Sequence, residues 1–524
     1  VSLTGASEHV SATYTGSYTQ ADNYRGGGSK GTVRSTEFAK TDHALALAWQ
    51  SALGLFEIKG GYHFSPYEGF ANQAMDMTAN SSWFLQGRYR GMFDWGNVEL
   101  SASWRDTDHE MNFLADKLPG SMPMNTEVHT TTAAAKFEIP VSTRDTMKLG
   151  GEYHHQWLND WWPPVAGSMM MGPGTFLNVN GAHRNRVGGY VEWQSQWSDA
   201  LSSVVGARID HVSMNTGNVA PYGTSMMQMD DVMAANAFNA ASHKREDDNW
   251  SLSALVTWAP SSTLAVELGY ARKARSPNIY ERYSWGRGAM ASRMIGWFGD
   301  GNGYVGNLAL KPEQADTISA ALKLAPAPGI AIRISPYYTR VDDYIDARFV
   351  KVLTNMMGMP TPFVQLQFAN LDAEFVGLDL SGEAVLAKSD AGETRLTGSL
   401  AWVRGQNRSD GLPLYHQMPV DVKLGVSHQA GALELGGELE WVDRKDRVDT
   451  RRNEPVTRAY ALVNLRAAYT LGAWRFSVEA DNLFDKGYDL PLGGVSLGDY
   501  KATGTLRPVP GRGRSINIGI ATRF

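Results

Sequence analysis

The sequence predicts an all-β protein, a transmembrane antiparallel β-barrel. Three observations carry that reading: strict alternation of apolar and polar side chains, connections that switch between short turns and long polar excursions, and aromatic residues near strand ends. The alternation is cleanest at the C-terminal end, where Ile516, Ile518, Ile520, Thr522 and Phe524 take one parity and Ser515, Asn517, Gly519, Ala521 and Arg523 the other. Val98, Leu100, Ala102 and Trp104 divide in the same way from Glu99, Ser101, Ser103 and Arg105, as do Ala461, Val463, Leu465, Ala467 and Tyr469 from Leu462, Asn464, Arg466 and Ala468. A membrane strand meets lipid with every second side chain only, so its segments average to neutral hydropathy while alternating strongly. A soluble sandwich would alternate as well.

The connections decide between the two. Short turns at 51–53, 95–97, 325–329 and 471–473 alternate with long polar stretches at 160–183, 215–247 and 284–310, the rim asymmetry of outer-membrane barrels. Trp83, Trp104, Trp157, Trp193, Trp197, Trp258, Trp441 and Trp474 fit two interfacial girdles, where an amphipathic ring is most stable. Counting segments from Val10 to Phe524 gives about twenty strands, an even number that leaves both ends on the short-turn rim.

Composition excludes other classes. With no cysteine among 524 residues, a disulfide scaffold, a thiolate zinc site and a cysteine nucleophile are all ruled out. A net charge of −6 offers nucleic acid no basic face, and 43% hydrophobic residues are too many for a disordered chain. No apolar run reaches the ~18 residues of a membrane helix, and mean hydropathy is −0.31. No linker or composition shift divides the chain, so residues 1–524 read as a single barrel domain.

Several segments resemble signatures of the TonB-dependent receptors. Ala274-Arg-Ser-Pro-Asn-Ile-Tyr-Glu281 resembles the mid-barrel signature, and Gly306-Asn-Leu-Ala-Leu-Lys-Pro-Glu313 is similar to a "GNxxLKPE" segment. Val341–Ile345, Asn370–Gly377 and the box Asp481–Tyr488 follow in the family's order, and a terminal Phe524 matches the aromatic end read by the outer-membrane insertion machinery. The resemblance implies a multi-pass protein of the bacterial outer membrane, surrounded by lipid and lipopolysaccharide. It further implies a receptor and conduit rather than an enzyme, driven by the TonB–ExbB–ExbD complex through a plug and TonB box. The segment Val10 to Gln20 looks like the family's third strand, so the plug and first hairpin of a 22-stranded barrel are expected to be missing from residues 1–524.

Methionine is the informative ligand type, because a neutral thioether suits Cu(I) whereas carboxylates suit hard cations. Fourteen of the 21 methionines fall in long-loop regions: Met122, Met124, Met169, Met170, Met171, Met226, Met227, Met229, Met233, Met290, Met294, Met356, Met357 and Met359. Methionine also fills irregular apolar gaps. His109 and Met111 end a predicted strand from Val98 to Phe113, and their i, i+2 spacing aims an imidazole and a thioether into the lumen together. Asp108-His-Glu-Met111 resembles the His-x-Met half-site of the family's copper receptors, the OprC and NosA type, whose second half-site is a Cys-x-x-x-Met pair in the plug. Half of such a site predicts poor Cu(I) affinity.

His154 shares a polar parity with Lys148, Glu152 and Gln156 and could assist, while His155 points the other way. His416 and Met418 share parity with Val420 and Val422, which predicts a lipid or interface position and excludes them as ligands. The expected cargo is copper, Cu(I) or Cu(II), with no organic cofactor and no nucleic-acid partner. Three other readings stand beside it: a receptor for an iron siderophore or other metal chelate, a plugless passive channel, and a surface protease or lipase. The last lacks any Gly-x-Ser-x-Gly elbow or credible triad.

Overall fold

The computed structural model describes residues 1–117, 121–296, 298–355 and 357–523. Met356 and Phe524, both named above, therefore lie outside the described residues. The chain forms one 22-stranded sheet in which the long strands follow in chain order, each antiparallel to the next, from Ser2–Ala6 to Ser515–Thr522. Between Val10 and Thr522 there are twenty such strands, as the alternation predicts. Ser2–Ala6 is a further strand that the sequence reading did not count; its five residues are too few to show a period. The remaining member, Gly303–Val305, is short and lies parallel to Pro360–Ser389. Among the described residues no ladder joins the first strand to the last.

Burial runs opposite to that of a soluble protein. Leu47, Trp49, Leu85, Trp104, Trp258 and Ile520 are exposed on the outer wall, and Ile518 is 77% exposed. Such a surface is stable only against hydrocarbon. Among the described residues no helix is long and apolar enough to cross a membrane, so the crossing falls to strands.

The rims differ as expected. Tight turns such as 52–53, 94–95 and 472–473 close one end, while the other carries long connections that fold back over the lumen. These hold helices α1 (Met229–Asn239), α2 (Ile279–Tyr283), α3 (Ala289–Met294) and α4 (Leu497–Thr503), which the sequence reading left as loops. The main buried core lies in these connections and not between layers of sheet. In it Trp162, Phe176 and Trp285 stack with centroids 4.3 and 4.6 Å apart, and Met75, Met122, Met124 and Met214 pack beside them.

The segments that resemble family signatures make one hydrogen-bonded knot. Arg275 binds Glu313 through Nε at 2.6 Å and Glu281 through Nη1 at 3.0 Å. Glu313 also accepts the Ile345 amide at 2.7 Å, and Asn370 bonds the Lys311 amide and the Lys311 and Asp343 carbonyls. Asn278 caps α2 and forms a capping box with Glu281, which turns Tyr280 inward. These motifs hold loops together and bring only Tyr280 to the site described next.

Candidate metal centre

The outer face of strand Gly96–Asn112 is apolar up to Trp104 and then carries Asp106, Asp108 and Glu110. Charge on the outer face marks the point where the strand has left the bilayer. His109 and Met111 therefore sit above the membrane on the inner face. The neighbouring strands give them partners in two rows. Met111 stands opposite Met77 of strand Asp76–Phe93 on one side and Met124 of strand Met124–Pro140 on the other. His109 stands between Asn80 and Thr126, and Thr126 opposes Asp160 of strand Asp145–Trp162. Directly opposed residues have Cβ atoms ~5 Å apart, so three thioethers form a row beside an imidazole.

Met77 reaches this row through a β-bulge. The register shifts between Met77 and Ala79, with Thr78 as the surplus residue, and that shift keeps Met77 on the lumen side. Simple alternation upward from Asn80 would place Met77 outside, which is why sequence parity missed it.

Met111 and Met124 of the first row and all of the second line a cavity of about 510 Å³ with Met75, Met294, Tyr280, Arg293 and Phe70, while Met77 lies outside that lining. Met75 comes from the turn before the bulge and was not predicted, since a turn gives no periodic signal; Met294, one of the fourteen loop methionines named above, comes from the six-residue α3. Lys117, fully buried, fixes the turn. Its Nζ donates to the Phe70 carbonyl (2.6 Å), the Met75 carbonyl (3.0 Å) and the Asp76 carboxylate (2.5 Å). Every proton of the ammonium has an acceptor, as a buried charge requires.

Nδ1 of His109 lies 3.1 Å from Asn80 Oδ1. With the proton on Nδ1 donated to that oxygen, Nε2 keeps its lone pair for a ligand. Burial holds the imidazole below its ordinary pKa, which favours the neutral, metal-binding form. Asp160 is buried as well and accepts bonds from Trp162 Nε1, Asn178 Nδ2 and Tyr280 OH. Burial pushes its carboxyl up to about 6. Among the described residues no group of three or more His, Asp or Glu side chains is placed to hold a metal ion; the cavity gathers soft thioethers and one imidazole beside the Asp160 carboxyl and the Tyr280 hydroxyl.

The other predicted residues separate into groups. Met122 is buried beside the cavity, its amide bonded to Asn112, and Met171 packs on the same core. Met169 is 80% exposed, Met226 is 91% exposed and Met357 is 77% exposed. The loops that carry them are tied together. Gln228 donates to the Met170 and Gly172 carbonyls at 3.0 Å, and Lys351 pairs with Asp230 of α1 at 2.7 Å. Asp231 of α1 accepts the Arg287 and Gly288 amides at the start of α3, so the helix beside the exposed methionines is bonded to the one that carries Met294.

His154 faces the lumen but stands opposite Arg186, six residues and roughly 20 Å down its strand from Asp160. It is not part of the cavity. His155 points outward and bonds Asn185, as parity requires. His416 and Met418 depart from expectation. They lie in a connection, not a strand; His416 has a positive φ of 65° and stacks on Tyr415, while Met418 packs against Val442 and Tyr460.

A family profile described as TonB dependent receptor-like, beta-barrel matches residues 7–483. No curated protein matches the chain in sequence. Among solved structures it is similar to the copper transporter OprC, at 19% identity and a TM-score of 0.81, over 99% of this chain and 79% of that one. It is also similar to the FrpB iron transporter from Neisseria meningitidis (13%, TM-score 0.70, 99% and 78%) and to the ferric enterobactin receptor PfeA from Pseudomonas aeruginosa (16%, 0.70, 99% and 77%). At such identities the likeness is one of fold.

Proposed function

This chain belongs to the TonB-dependent receptors, as a β-barrel of that family, and on that premise we propose that it imports copper across the bacterial outer membrane. The observation that carries the reading is the cavity in which His109 and Met111 meet Met75, Met124 and Met294, with Met77 in the same row. An uncharged set of thioethers and one imidazole matches Cu(I) in softness, and Cu(II) would rely more on His109. Exposed Met169, Met226 and Met357 offer a first contact from outside, and the cavity offers a second. These barrel thioethers supply donors beyond the His-x-Met half-site, so Cu(I) binding is stronger than half a site would give. Release into the periplasm draws on the TonB–ExbB–ExbD complex, the energy source of the family.

The likeness to FrpB and PfeA keeps a ferric chelate as a second reading. Iron(III) favours anionic oxygen, and the oxygens that Asp160 and Tyr280 bring to the cavity are bonded to each other. A competitive Cu(I) titration decides. The double variant His109→Ala, Met111→Ala should lose about 100-fold in affinity while its unfolding profile stays cooperative. Unchanged Cu(I) affinity in that variant, alongside retained binding of ferric chelates, would replace copper with iron.

A further inference from the structure

The lumen wall below the cavity carries a surplus of positive charge. Strand Phe176–Ser198 sets Arg184 opposite Gln156 and Met214, and Arg186 opposite His154 and Val212, so both arginines and His154 share the inner face. Arg186 pairs with Glu152 and lies 3.9 Å from Asp210. Arg208 binds Asp210 through Nε and Nη2 at 2.7 and 2.5 Å and reaches Glu152 at 3.4 Å. Arg282, reaching in from α2 and fully buried, holds both oxygens of Asp247 at 2.9 Å.

Three carboxylates are thus engaged by three guanidiniums, and Arg184 is a fourth that makes no hydrogen bond and no ion pair among the described residues. The fields of Arg186, Arg282 and Arg275 act on it with one sign and that of Asp247 with the other. Nε of Arg184, Nε of Arg186, Nε of Arg282 and Nδ1 of His154 are buried without a hydrogen-bond partner among the described residues. Buried donors left unmade are costly, charged ones most of all. A second cation would raise that cost and an anion would remove it.

We propose that Arg184, Arg186 and His154 form an anion site in the lumen wall that takes a carboxylate. The surplus is a single charge, which a monoanion balances, and a guanidinium presents the planar fork that a carboxylate accepts bidentately. The carboxylate comes from a small acid in solution or from an Asp or Glu side chain of polypeptide filling the lumen. The proposal stands apart from copper, since no metal ligand takes part in it.

Crystals of the full chain soaked in sodium bromide test it. A bromide anomalous peak is expected within hydrogen-bonding distance of Arg184, displaced by acetate, absent in Arg184→Leu and weakened in Arg184→Lys. Where a longer chain places its own polypeptide in the lumen, exclusion of bromide by an Asp or Glu side chain on Arg184 assigns the second source. No peak in the wild type, or an equal peak in Arg184→Leu, overturns the site. In solution, acetate should raise the unfolding midpoint by about 1–2 °C at constant ionic strength, and Arg184→Leu should abolish that shift. A midpoint lowered by Arg184→Leu with the acetate shift intact would mark Arg184 as structural and end the proposal.

Discussion

His109 and His154 both face the lumen from neighbouring parts of the same wall, yet their surroundings differ. His109 stands beside Asn80 and a row of uncharged thioethers, in a cavity bounded by a buried carboxyl. His154 stands opposite Arg186 with Arg184 two residues away, and its buried Nδ1 has no partner. Parity fixes which way a side chain points. What it meets there is decided by strands far off in sequence, so one residue type suits a cation at one level of the wall and an anion at another.

The contrast can be broken first at its support. Lys117→Met leaves Asp76 buried and unpaired, and the unfolding free energy in detergent should fall by about 3–5 kcal/mol. A loss below ~1 kcal/mol would show that the Lys117 clamp does not hold the thioether corner in place.

The second test is pH. Asp160 has a folded pKa of about 6, above its unfolded value, so its contribution to stability is present in full below pH ~4 and is lost as pH rises through about 6. Unfolding midpoints should decline across that window by about 3 kcal/mol in free energy, and Asp160→Asn should flatten the slope. An equal slope in that variant would assign the effect to another group.

Smaller again is Met124→Leu, which keeps volume and removes sulfur. Cu(I) affinity should drop about tenfold with under ~1.5 kcal/mol of lost stability. The smallest effect separates the two histidines directly: His154→Gln should leave Cu(I) affinity within about twofold, whereas His109→Gln should not. Equal losses from both substitutions would erase the distinction on which the comparison rests.

The strand count from Val10 onward, the inner placement of His109 and Met111 and the split of His154 from His155 were legible because a two-residue period needs only local sequence. Ser2–Ala6 escaped for want of length. Met75 escaped because a turn carries no period and Met77 because a bulge resets it, while Met294 stood out only as one of fourteen loop methionines because a short helix carries no period either. His416 was misplaced because alternation was carried past the start of strand Asp421–Ala430 into a connection. The surplus at Arg184 could not be read at all, since it depends on which carboxylates the neighbouring strands spend on Arg186, Arg208 and Arg282.

The bulge at Thr78 acts as error correction. A strand has only two phases, and one surplus residue would ordinarily turn over everything beyond it. Here the surplus is absorbed where the strand leaves the bilayer, and Met77 emerges in the phase it would have had without it. Thr78 is therefore a residue this strand can lose outright: its deletion removes the hydroxyl's contacts to Glu110 and leaves Met77 opposite Met111, whereas a deletion farther down, in the regular ladder, would invert the phase of Met77 against Met111.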